Sequence, residues 1–196
     1  MDGFCQDGKV TDQKQRQILN AALELFIRYG FKRTTMGDIA KQAGISRPAL
    51  YLVFDNKEEI FKAGIANFTQ EMVVKVREGL EQASSIGERL HCVLQVAFVE
   101  TFEMMHDSPH IEELVECSHG FAAGLMESAH AALDDLLASI FKAEKVRLKR
   151  VKLTPLAAAK AVNASARGMK AAAKSNKEMR ELIASLEKLT LAALDG

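Results

Sequence analysis

Apolar positions recur at helical spacing along most of the chain, interrupted by glycine, proline and short polar residues. Gln13 to Tyr29 reads as a first amphipathic helix, with Ile18, Leu19, Ala22, Leu25 and Phe26 on one face and Gly30 as its stop. Phe31 returns the chain to the core. Thr35 then stands as an N-cap answered by Asp38 three positions on. Ile39 and Ala40 face inward on the short helix that follows, and Gly44 supplies the left-handed residue that turns the chain. Ile45 plugs the turn and Ser46 caps a second helix. Pro48 falls in its first turn, where a missing N–H costs little, so the Ser46 oxygen is expected to accept from Ala49. Leu50 and Phe54 point to the core, leaving Arg47, Ala49, Tyr51 and Leu52 nearer the outside. Ala40 must be small because the second helix crosses close to it. This is the pattern of a helix-turn-helix whose second helix can place its N-terminal residues on base edges in the major groove.

Downstream, Asn56 caps another helix with Glu59 three residues on, and Ile60, Phe61, Gly64, Ile65 and Phe68 carry its apolar face to about Leu80. Leu90 to Met105 is the next helix. Ser108 and Pro109 open a short one reaching about Glu116, residues 117–120 break the chain again, and Phe121 to about Lys145 forms a long helix. Thr154-Pro155 opens an alanine-rich helix to about residue 174. Lys177 to Leu194 closes the chain with Met179, Leu182, Ile183, Leu186, Leu189, Thr190 and Ala193 on a stripe close to a coiled-coil seam. The fold class is therefore all-α, with about nine helices and a three-helix N-terminal domain.

Charge sharpens this division. The 196 residues carry no net charge. Residues 9–57, however, hold nine Lys and Arg against four Asp and Glu, while residues 65–196 hold sixteen against eighteen. A basic head on a slightly acidic body suits a phosphate-facing domain and a neutral sensing body. Lys9 and Lys14 are further phosphate candidates, on or just beyond a polar arm expected over Met1 to Thr11. The six basic residues between Lys142 and Lys152 read best as a solvated helix end. Three widely spaced cysteines, Cys5, Cys92 and Cys117, argue for a reducing compartment without a disulfide framework. The start MDGFCQDGK has no signal-peptide pattern and no stretch approaches a membrane span, so the expected location is the cytoplasm.

Residues Gln13 to Gly64 resemble the DNA-binding domain of the TetR family of bacterial transcriptional regulators. RQILNAALELFIRYGF, TTMGDIAKQAGIS, RPALYLVF and NKEEIF carry the resemblance in order. It implies a helix-turn-helix domain with an N-terminal arm over residues 1–55. Residues 56–196 would then form a helical effector-binding and dimerisation domain, whose last two helices (about 155–174 and 177–194) pair with their copies as a homodimer. The function implied is a ligand-responsive regulator of transcription, most simply a repressor, released from a palindromic double-stranded DNA operator by a small, mainly apolar effector.

The DNA face is then Thr35, Ser46, Arg47, Pro48, Ala49, Tyr51, Leu52 and Lys57. Arg47 would read guanine and Ala49 would meet a thymine methyl, while Thr35, Ser46, Tyr51 and Lys57 would hold phosphates. Leu52 and Val53 stand where the family often has polar or aromatic residues, which points to more apolar or shape-based reading. The effector pocket is expected from Phe68, Met72, Phe98, Phe102, Met105, Cys117, Met126 and His130, with His119 and Arg167 as polar orienting groups.

No cofactor, metal or membrane partner is expected. A metal or redox sensor using His91, His106, His110, His119, Cys92 or Cys117 is an alternative, although their spacing matches no strong zinc pattern. A helical small-molecule-binding or scaffold protein with an unused head is another. Nothing marks catalysis: there is no nucleophile elbow, phosphate loop, HExxH or paired-carboxylate signature.

Overall fold

The computed structural model describes residues 6–195. The fold is all-α, and no strand occurs among the described residues. In chain order the elements are α1 (Gln6–Tyr29), α2 (Met36–Gln42), α3 (Arg47–Tyr51), α4 (Lys57–Gln82) and α5 (Ile86–Leu94). A π-helical segment (Gln95–Glu100) leads without a break into α6 (Thr101–His106), followed by α7 (Ile111–His119) and α8 (Ala123–Phe141). A 3₁₀ turn (Lys142–Glu144) precedes α9 (Lys145–Arg150), and α10 (Pro155–Ala172) and α11 (Asn176–Asp195) complete the chain. Part of the expected arm, residues 1–5, lies outside the described residues, as does the Lys9 side chain. From Gln6 the backbone is already helical, so residues 6–11 of the expected arm belong to α1.

The chain divides into two compact units, and a single cut at residue 55 does not separate them. The first takes the chain up to Thr69 and adds residues 108–126; the second comprises residues 70–107 and 127–196. Residues 108–126 were expected in the body. Side chains unrecognised in the sequence tie them to the head instead. The Ser108 hydroxyl donates to the Ile27 carbonyl at 2.6 Å, and the Glu113 carboxylate accepts from the Lys32 N–H at 2.5 Å. Phe121, from the turn before α8, joins Phe26, Phe31 and Phe61 in a cluster with ring centroids 5.3–5.7 Å apart. Ser108 thus anchors the segment but does not cap α7: its oxygen accepts from the His110 N–H, while α7 begins at Ile111 with His110 at its N-cap, so Ser108 and Pro109 both lie before the helix.

The core of the first unit includes Ile18, Leu19, Ala22, Phe26, Ile39, Ala40, Leu50, Phe54 and Ile60, all buried as their spacing requires. In the second unit one apolar cluster runs from Met72 through Leu94, Phe98, Leu137 and Phe141 to Ile183 and Leu194. Val96, Ala97, Phe98 and Val99 are all buried, and this run lies in the π-helical segment. A regular α-helix turns successive side chains too far around its axis to bury four in a row on one face, whereas the wider π turn eases that constraint. Among the described residues no helix is long and apolar enough to cross a membrane.

Candidate nucleic-acid interface

The short helices α2 and α3 are held by local hydrogen bonds that the sequence encodes. Thr35 Oγ1 accepts from the Asp38 N–H at 3.2 Å, and Asp38 Oδ2 accepts from the Thr35 N–H at 2.9 Å and its hydroxyl at 2.6 Å. These bonds hold the Asp38 carboxyl below its ordinary range. Gly44 turns the chain with φ +64°, and Ser46 Oγ accepts from the Ala49 N–H at 3.3 Å. Leu50 is fully buried and Phe54 nearly so, which anchors the inner side of α3.

Its outer side is left free. Ser46, Arg47 and Pro48 are exposed and Ala49 half-exposed, Tyr51 is 46% exposed, and Leu52 is 87% exposed. A Cβ added at Gly37 would lie 3.5 Å from Thr35 Oγ1 and 3.7 Å from Arg47 Nε, so Thr35, Gly37 and Arg47 share one surface. The structure therefore brings Thr35 and Arg47 together at the N-terminal end of α3, and leaves Tyr51 and Leu52 exposed at its C-terminal end.

Lys57 is a correction. Its ammonium points into the α1–α2 turn and donates to the carbonyls of Phe31 (2.7 Å), Lys32 (3.1 Å) and Thr34 (3.1 Å). It also lies 4.5 Å from the centre of the Phe31 ring. An ammonium has three protons, and all three have acceptors here. Lys57 locks the turn that precedes α2 and has no proton left for a phosphate. The same turn is fixed by Gly30, at φ +84°, where a Cβ would come within 2.5 Å of Glu113 Oε2. Asn56 still caps α4 as its spacing predicts, accepting from the Glu59 N–H at 2.9 Å.

Residues 18–63, which include this motif, match the family model described as bacterial regulatory proteins, tetR family. Over residues 18–63 the chain is thus similar to the TetR family. Among curated relatives, the transcriptional activator FasR of Mycolicibacterium smegmatis is 34% identical over 97 residues, covering 50% of this chain and 43% of its own. The match thus spans less than half of that relative's length. Two solved structures share the fold over nearly the whole chain. Thermus thermophilus FadR, a TetR-family repressor in complex with lauroyl-CoA, covers 90% of this chain and 93% of its own at 22% identity and TM-score 0.60. The fatty acid degradation regulator FadR of Bacillus halodurans covers 92% and 98% at 18% identity and TM-score 0.64. These matches are to regulators of transcription, not to enzymes.

The expected effector residues fall in both units. Phe68, Cys117, Met126 and His119 belong to the first, where the first three are half-buried and His119 is exposed. Met72, Phe98, Phe102, Met105, His130 and Arg167 belong to the second. There Met72, Phe98 and Phe102 are core residues, Met105 and His130 are half-buried, and Arg167 is exposed. His119 and Arg167 thus lie at the surface and do not point into an apolar interior. The polar side chains on the inner side of α10 are Asn163 and Lys170, neither of which its alanine-rich pattern brought forward.

Burial raises both the Cys92 and the Cys117 thiol above the ordinary range, the opposite of an activated thiolate. Among the described residues no three His, Cys, Asp or Glu side chains stand together as metal ligands. An open apolar groove of about 220 Å³ is lined by residues of α8 to α11 and their connections, Val151, Leu153, Ala161, Leu186, Leu189 and Ala193 among others. None of the ten expected effector residues lines it.

Proposed function

We propose that this chain is a homodimeric transcriptional repressor that binds a palindromic operator through Thr35, Ser46, Arg47, Pro48, Ala49, Tyr51 and Leu52, and that a small, mainly apolar effector releases it. The observation that carries the reading is the outer side of α3. A leucine 87% exposed at the C-terminal end of a short helix has no role in the fold of its own unit, and Arg47 at the other end of that helix is exposed and forms no ion pair among the described residues. Arg47 pairs with guanine, Ala49 and Leu52 meet thymine methyls, and Thr35, Ser46 and Tyr51 hold phosphates. Lys57 acts indirectly, by fixing the turn that presents Thr35.

The dimer is supported by the apolar groove on α10 and α11 and by Leu189, which is 68% exposed on the stripe of α11. An apolar effector is supported by the lauroyl-CoA held by Thermus thermophilus FadR, a protein of the same fold. Release follows from linkage: an effector that prefers the protein conformation unfit for DNA weakens operator binding reciprocally.

The test is fluorescence anisotropy with specific and scrambled duplexes. Arg47→Ala should lose about 1–3 kcal/mol of discrimination between them while keeping its scrambled-duplex affinity within a few-fold. Equal discrimination by wild type and variant would remove Arg47 and the α3 face from the site.

A further inference from the structure

We infer that the ammonium of Lys170 is the recognition point for a carboxylate, so that the effector is an amphipathic organic acid whose anionic end meets α10 beside the π-helical segment. This inference rests on the effector-responsive reading above and names the chemistry of the ligand.

Lys170 lies on the inner side of α10. It is in register with Ala159, Val162 and Ala166, which are core residues, and with Met169 and Ala173, which pack against that core. Its Nζ makes one hydrogen bond, to Thr101 Oγ1 at 2.8 Å. Thr101 is itself buried, and its hydroxyl is turned toward the carbonyls of Ala97 at 2.8 Å and Phe98 at 3.2 Å. Of the three ammonium protons, one is therefore satisfied, and by a neutral group. The contrast with Lys57, whose three protons all have carbonyl acceptors, is direct.

Among the described residues Lys170 has no ion-pair partner. The two carboxylates flanking Thr101 are both committed elsewhere: Glu100 to Lys75 at 2.5 Å and Glu103 to Arg180 at 2.5 Å. Desolvation is what lowers the ammonium, to about 8. A sheltered cation of this kind is costly in the fold alone and favourable once an anion joins it.

A second polar group on the same side of the same helix is also incomplete. Asn163 stands two turns before Lys170, about 10 Å along the axis, and is 2% exposed. Its Nδ2 donates to the His130 carbonyl at 3.0 Å and to Asp134 Oδ1 at 2.7 Å. Those two acceptors fix the amide orientation, and Oδ1 is left without a partner. One inner helix face thus carries spare donors at a half-buried end and a spare acceptor at a buried one, beside the apolar core. That is the pattern of a site for a ligand with an apolar body and polar ends.

The test measures binding of octanoate, dodecanoate and 2-naphthoate, each beside its alcohol, to the full-length protein by isothermal calorimetry. At least one acid should bind about tenfold or more tightly than its alcohol. Lys170→Met should remove that advantage and leave alcohol binding within a few-fold. Lys170→Arg should retain the preference for the acid, and Thr101→Val, which removes the competing hydroxyl but keeps the cation, should keep it undiminished. Circular dichroism melts report whether each variant is folded.

An acid advantage that survives in folded Lys170→Met would overturn the assignment, as would alcohols binding as well as acids. Operator release is followed on the same preparations. Uncharged compounds that release the operator without help from Lys170 would leave the effector reading standing and remove this one. If no compound of either kind binds or releases, both readings fall together.

Discussion

Two lysines separate the two units of this molecule. Lys57, in the first, has an acceptor for every ammonium proton, supplied by the carbonyls of one turn. Lys170, in the second, is sheltered and has one neutral partner. Among the described residues no buried side-chain polar atom of the first unit lacks a partner, and the Thr35–Asp38 pair and the Ser46 cap hold its short helices. The second unit is well packed yet retains polar groups on an inner helix face. A surface that meets a large, charged partner is best built on a rigid head. A body that answers a small molecule needs interactions completed only when that molecule arrives.

The largest effect should come from cutting into the aromatic cluster. Phe31 touches Phe26, Phe61 and Phe121, and Phe31→Ala should cost about 3–5 kcal/mol in urea unfolding followed by circular dichroism. A loss below 1 kcal/mol would mean that residues 108–126 are not fastened to the head through this ring.

Lys57→Met comes next. It should destabilise the protein by about 1–3 kcal/mol, because the turn carbonyls lose a charged donor, and it should leave the salt dependence of DNA binding unchanged. Unchanged stability with a salt slope lower by about one would return Lys57 to the phosphate backbone.

Lys170→Met should act in the opposite direction, stabilising the free protein by about 1–2 kcal/mol near neutral pH, since it removes a sheltered charge. The sign follows from linkage. The folded-state value of about 8 lies below the ordinary 10.5, so the unfolded chain binds the proton more tightly. The gain is therefore full below pH 8 and fades as pH rises through the ordinary lysine range. A variant less stable than wild type at pH 7 would show that the ammonium is well solvated or paired in solution.

The parts legible in the sequence were those governed by local rules. Thr35 with Asp38, Gly44, Ser46 with Ala49, Asn56 with Glu59 and Thr154 with Pro155 all act within four residues of one another, and each stands where its spacing placed it. What escaped depends on contacts between distant segments. Glu113 reaches back 81 residues to Lys32, and Ser108 the same distance to Ile27. No periodicity announces such pairs. Phe121 begins an apolar run that predicts the long helix, yet it sits in the turn before α8. Lys170 lies in a stretch dominated by alanine whose pattern does not single it out, while Arg167, one turn earlier, lies on the exposed side. A helical pattern gives the stripe, but not which polar residue at its edge will be turned inward.

The central claim is that the face from Thr35 to Leu52 reads DNA. The most direct measurement is selection of duplexes from a random pool by the full-length protein, followed by a salt titration on the enriched sequence. The account predicts a palindromic motif bound with an affinity that falls steeply as salt rises, because neutralised phosphates release their counter-ions. A pool with no enriched sequence, bound weakly and without regard to sequence, would contradict it.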